Sequence, residues 1–227
     1  RDAMDLAFSG EVVRYDVSLF AHGDDGVMID FMIAPVKNES GEVEFLIPSG
    51  VDIRQRKQAE RDLEQRARLA ELHTTLAIEL TRRESMAATL HAAIERFVET
   101  LDVALVRIWL CDDSESALTL AAGGGISVHP DEEKAIIPFG EFQTGRIARD
   151  QTPVLSNEVA NDARISDREW AVSQGMISFA GYPLMISGRT IGVLELFSRR
   201  QFSATEFEQL QPMSIAVAQC IERLKYA

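Results

Sequence analysis

The chain has 227 residues, 46% apolar and 26% charged, with a formal net charge of −13. That length buries one good core and part of another, and no run approaches the roughly 18 uninterrupted apolar residues that span a bilayer. A cytosolic protein is expected, with no leader near Arg1, no membrane contact, and no nucleic-acid partner, because phosphate contacts need Lys and Arg clustered on one face.

Residues 1–53 are strongly acidic and read as short strands separated by turns. Val12–Phe20 is strand-like, His22-Gly23-Asp24-Asp25-Gly26 a polar turn, Val27–Val36 a second strand, Asn38-Glu39-Ser40-Gly41 a second turn, and Val43–Ile47 the start of a third strand. Such an antiparallel meander is too small to be stable alone. The chain opens in mid-pattern without an initiator Met and closes inside a helix, so a segment of a longer protein is expected.

No Gly or Pro occurs between Gly50 and Gly123, and from Arg54 to Leu101 strong helix formers dominate. Residues 54–80 are predicted to form a connector helix, and Thr81-x-x-Glu84 has the form of a capping box that restarts a helix at Met86–Leu101. Arg56, Ala59, Leu63, Arg66, Ala70, His73, Ala77 and Leu80 step by alternating threes and fours, a coiled-coil seam through which a homodimer would form. Leu69, Leu72, Leu76 and Leu80 offer a second seam, and two nearly matched registers would suit a switch. The competing reading is one amphipathic helix lying on its own domain.

From Val103 the period becomes two: Ala104, Val106, Ile108 and Leu110 share one face of a strand, Arg107 and Trp109 the other, and Leu118, Leu120 and Ala122 continue in a second strand. Thr144–Asp150 reads as a short helix, Pro153–Ser156 as a strand and Asn161–Gln174 as helix-competent. Met176–Ile186 and Thr190–Phe197, joined by Ser187-Gly188, form the clearest hairpin. The last helix starts on a capping box, Ser203 with Glu206, flanked by a staple of Phe202 and Phe207, and a kink is expected at Pro212.

Two resemblances attach to these residues. Asp52-Ile53-Arg54-Gln55-Arg56-Lys57, between a strand and a helix, resembles the Asp-Ile-Thr-x-Arg-Lys sequence that closes PAS domains, with Arg54 in place of Thr, and Ala34-Pro35-Val36 and Ser40-Gly41-Glu42-Val43 resemble that fold's last strands. Residues 86–225 are similar to GAF domains, through Gly145-Arg146-Ile147-Ala148 with Thr152-Pro153-Val154, Ser178 to Tyr182-Pro183-Leu184, the run Gly188 to Leu196, and the Phe202-Ser203 helix start. The resemblances imply the C-terminal part of a PAS domain at 1–53, a connector at 54–80 and a GAF domain at 81–227. The implied fold is α+β, an antiparallel sheet with helices on one face and a small-molecule pocket on the other. The implied role is sensory, within a sensor histidine kinase or else a diguanylate cyclase or phosphatase regulator. A ligand-free dimerisation module is the alternative.

No catalytic constellation or metal spacing is present, so no turnover and no metal are expected of this segment. Bilin-binding GAF domains use a Cys that residues 123–142 lack, which speaks against a covalent bilin. Asn157 or Asn161 with Asp167 and Glu169 echoes only part of the cyclic-nucleotide constellation, and His129 is the one histidine to test against haem. Free-methionine-sulfoxide reductases of this family carry several cysteines, whereas Cys111 and Cys220 read as two buried thiols. The candidate ligand-binding residues are Arg107, Trp109 and Glu195 on the open face of the sheet, with Phe139, Phe142 and Arg146 from the covering segment. Arg146 would meet an anion and Trp109 a planar group. No cofactor is assigned.

Overall fold

The computed structural model describes residues 3–19, 26–82, 84–112, 114–126, 136–165 and 168–226, and these divide into two compact units, residues 1–66 and 67–227. The greater part of the turn read at His22–Gly26, together with His129 and Asp167, lies outside the described residues.

In the first unit, helix α1 (Ala3–Phe8) packs on a three-stranded antiparallel sheet of β1 (Val13–Leu19), β2 (Val27–Lys37) and β3 (Val43–Asp52), in that order. Asn38 Oδ1 accepts the backbone N–H groups of Ser40 and Glu42 at 3.0 and 2.9 Å, and Gly41 takes φ of 83°, so the predicted turn is built by an Asn side chain and a glycine. At the end of β3, Asp52 Oδ1 accepts the Arg54 amide at 2.9 Å and also holds the Arg54 guanidinium, which fixes the first turn of the following helix.

That helix, α2 (Arg54–Thr81), is continuous, but its two halves differ. Through Arg66 it exposes almost every side chain, Leu63 at 70%. From Ala67 onward it belongs to the second unit, where Leu69, Leu72, Leu76 and Leu80 are each no more than 5% exposed within one cluster with Phe97, Leu210, Val217 and Ile221. The second seam is therefore occupied by the protein's own core and is not free to pair with another copy. In the second unit the helix lies on its own domain, and a switch between two registers has no structural basis. The first seam stays on the exposed side as far as Ala77, and only Leu80 is buried.

The restart at α3 (Met86–Leu101) falls where the sequence predicts, with a different cap: Ser85 Oγ accepts from Ala88 N at 3.3 Å, while Thr81 Oγ1 turns back to donate to Ile78 O. Six antiparallel strands follow: β4 (Leu105–Cys111), β5 (Ala117–Gly125), β6 (Ile136–Pro138), β7 (Val154–Ser156), β8 (Ser178–Ile186) and β9 (Arg189–Ser198). Their order is β6-β5-β4-β9-β8-β7, so β4 and β9 are central. Period-two alternation sorts their side chains into two clusters. Val106, Ile108, Tyr182, Leu194 and Leu196 pack with α2, α3 and α6 (Ala204–Lys225); Leu105, Trp109, Val193 and Phe197 pack on the other face with α4 (Phe142–Asp150) and α5 (Arg168–Ser173). Ala104, expected on the helix side, falls in the second cluster because regular pairing begins only at Leu105. Ser187 and Gly188 take φ of 49° and 79°, the left-handed pair a two-residue hairpin requires. At the start of α6 both bonds of the predicted capping box are made.

Candidate functional site

Central pairing sets the site. Arg107 on β4 stands opposite Glu195 on β9, with Gly123 of β5 and Gly181 of β8 as their outer neighbours, so the row across four strands reads Gly-Arg-Glu-Gly. A side chain at Gly181 would press on Ile147 and Phe179; without one, α4 closes down over Glu195. The two ionic side chains point away from α2, α3 and α6 and are both about 2% exposed.

Burying a carboxylate is costly unless its lone pairs are used. Glu195 meets that requirement: Oε2 accepts Trp109 Nε1–H at 2.7 Å and lies 4.0 Å from Arg107 Nη1, and Oε1 accepts the hydroxyl of Thr144 in the first turn of α4. The Arg107 guanidinium sits 5.8 Å from the ring centre of Trp170 and 5.7 Å from that of Phe197, within cation–π range. Gln143, 3% exposed, donates its backbone N–H to Arg164 O at 2.6 Å, and its side-chain Oε1 has no hydrogen-bond partner among the described residues.

Of the six candidates, the fold brings together Arg107, Trp109 and Glu195. Phe139 packs at the edge of the same cluster. Phe142 is 46% exposed and Arg146 is exposed, because the first turns of α4 turn Gln143 and Thr144 inward instead. Sequence reasoning missed Thr144, Gln143 and Trp170. The helical period places 143, 144, 147 and 148 on one side of α4, and that spacing was the available signal.

Neither thiol belongs to this cluster of polar groups. Cys111 donates to Thr190 O and Cys220 to Leu80 O, each at 3.3 Å. Burial first, then the carboxylates of Glu115 and Asp112, pushes the Cys111 thiol up to about 11. Asn157 bridges the Phe202 backbone, its Nδ2 donating to the carbonyl and its Oδ1 accepting from the amide, both at 3.0 Å. It is committed to holding the start of α6, which removes it from the nucleotide-like constellation. Among the described residues no group of three His, Cys, Asp or Glu is placed to hold a metal, and no helix is long and apolar enough to cross a membrane.

Comparison with known proteins agrees with this architecture. The GAF domain of a phosphoenolpyruvate-protein phosphotransferase from Coxiella burnetii superposes with a TM-score of 0.63 at 18% identity, over 70% of this chain and 96% of that one. Free methionine-R-sulfoxide reductase from Neisseria meningitidis, in complex with its substrate, superposes with a TM-score of 0.58 at 22% identity, over 68% of this chain and 88% of that one. Hybrid signal transduction histidine kinase D of Dictyostelium discoideum is 32% identical over 68 residues, which are 29% of this chain and 4% of the kinase. Residues 83–222 match the profile of the GAF domain, and the chain belongs to that family.

Proposed function

We propose that this chain is a sensory and relay region of a multidomain signal-transduction protein, in which the GAF unit takes a small polar molecule beside the Arg107–Glu195 pair. The observation that carries the reading is Gln143 Oε1, buried and without a partner among the described residues, on the residue that precedes Thr144, whose hydroxyl bonds Glu195. A buried amide oxygen left unsatisfied costs about 1–3 kcal/mol, and a ligand donor would recover it. The host we favour is a sensor histidine kinase, supported by the short match to the Dictyostelium kinase; a diguanylate cyclase or phosphatase regulator would use the region in the same way. We read the first unit as the end of a PAS domain, supported by its β1-β2-β3 meander and by the Asp52–Arg54 junction, and the exposed seam of α2 as the contact of a homodimer.

The segment is read as non-enzymatic. A nucleophilic thiol needs a depressed pKa, and Cys111 is pushed the other way. A ligand-free dimerisation module is the second reading, favoured by how fully Glu195 is bonded inside the protein.

The deciding experiment is a thermal-shift screen of polar metabolites on the protein and its Gln143→Leu variant. A ligand at 100 times its dissociation constant stabilises the fold by about 2.7 kcal/mol, and that gain should fall sharply in the variant. If no metabolite stabilises the parent, or the variant responds equally, the dimerisation module is the better description.

A further inference from the structure

A cavity of about 460 Å³ lies in the GAF unit where β4 ends and β9 begins, and it shares no lining residue with the Arg107–Glu195 cluster. Leu110, Ile191 and Ile221 supply apolar wall, the half-buried Cys111 thiol lies among them, and the last turns of α6 contribute Glu222 and Lys225. The volume falls in the range of small-molecule sites. We propose that this cavity binds a small amphipathic organic cation, with its apolar body against Leu110, Ile191 and Ile221 and its ammonium on the Glu222 carboxylate.

Three observations select that chemistry. Acids outnumber bases around the cavity, Asp112, Glu115 and Glu222 against Arg189 and Lys225, and the Arg189 guanidinium is already held by Glu115 at 2.6 Å. Glu222 makes no ion pair or hydrogen bond at contact distance among the described residues and feels the Arg189 guanidinium, which Glu115 holds, only at longer range, so its carboxylate is open to a ligand. The carboxylates also act on the thiol: after burial, which comes first, Glu115 and Asp112 raise Cys111 more than Arg189 and Lys225 lower it. A bare divalent ion fits poorly, because no three ligating groups converge here among the described residues, and the apolar wall would go unused. Met86, at the start of α3, lines the same cavity as Ile221, Glu222 and Lys225 of α6, so an occupant bridges two helices of the GAF unit.

Cys111 is a built-in reporter, with buried Cys220 as the internal reference. Alkylation by iodoacetamide at mildly alkaline pH would be followed by mass spectrometry on the full chain, with benzylammonium, benzyl alcohol and benzoate at matched ionic strength. At about ten times its dissociation constant, benzylammonium should slow Cys111 alkylation about tenfold by mass action, leaving Cys220 unchanged. Benzoate should give no protection and benzyl alcohol little. Glu222→Gln should abolish the protection, and Arg189→Gln, which releases Glu115, should strengthen it. Equal protection by benzoate, no protection by benzylammonium, or protection indifferent to Glu222→Gln overturns the proposal. None of these readouts depends on the Gln143 site.

Discussion

Glu195 illustrates how a fold makes a buried charge tolerable. The residue is 1% exposed, and water at its carboxylate is replaced by the Trp109 indole, the Thr144 hydroxyl and the nearby Arg107 guanidinium. Such a network is a test of itself, since removing one donor leaves a buried acceptor short of a partner. Trp109→Phe removes the N–H together with part of the buried indole, so it should destabilise the fold by about 1–3 kcal/mol from the lost bond, with a further cost from the lost packing. The measurement is a urea titration followed by far-ultraviolet circular dichroism, which does not depend on the substituted tryptophan, reading a lower midpoint at unchanged slope. A change within about 0.5 kcal/mol, as surface substitutions give, would mean that the indole bond contributes little. Strand alternation in the sequence was enough to put Arg107, Trp109 and Glu195 on one face. It could not show that they bond to one another, because cross-strand register is a long-range property that local period does not carry. Phe142 and Arg146 lie on the exposed side of α4, and the helical period that turns Gln143, Thr144, Ile147 and Ala148 inward is the local signal for that placement.

Element boundaries were legible where capping chemistry is unambiguous. The capping box at Ser203 and Glu206 is one such place, and it carries a pH dependence. Desolvation alone would raise the Glu206 carboxyl, but the hydrogen bonds from Arg200 and from the Ser203 amide outweigh it and hold the group below its ordinary value. A carboxyl depressed in the folded state binds its proton less readily there than in the unfolded chain. Its stabilisation is therefore complete above the unfolded value of about 4.3 and is lost as pH falls through the lower folded value. Glu206→Ala should cost about 1–2 kcal/mol at pH 7, with the Arg200 share discounted because that side chain is 39% exposed. The gap between variant and parent should narrow as pH drops below about 4. Melting curves from pH 7 to 3 test this, and a gap that stays constant across the range would remove Glu206 from the argument. At the α2–α3 break the same reasoning pointed to Thr81, whereas Ser85 is the cap. Both positions carry a suitable hydroxyl, and the choice is made by where the Leu69–Leu80 stripe must stop to keep its packing.

At the scale of the whole chain, the family match begins at residue 83, while the second unit begins at Ala67. The difference is the last four turns of α2, and it matters energetically. Leu69, Leu72, Leu76 and Leu80 lie within the cluster built by α3, α6 and the helix-facing side of the sheet, and fully burying a leucine is worth about 1.5–3 kcal/mol. The C-terminal end of α2 is also tied to α6, for Leu80 O accepts from both Cys220 and Arg223. A leucine stripe at threes and fours looks the same whether it faces a second copy or its own domain, which is why the sequence alone left both readings open. The structure makes the stripe part of the GAF unit. A fragment of residues 67–227 should therefore fold with a cooperative melt, whereas one of residues 84–227, which keeps nearly all of the family match, should expose the cluster. The shorter fragment is expected to melt at a markedly lower temperature and to bind a hydrophobic dye at room temperature. Calorimetry and dye fluorescence on the two fragments compare them directly. If residues 84–227 melt at the same temperature as residues 67–227 without binding dye, the stripe is only covering surface, and the second half of α2 returns to being a connector.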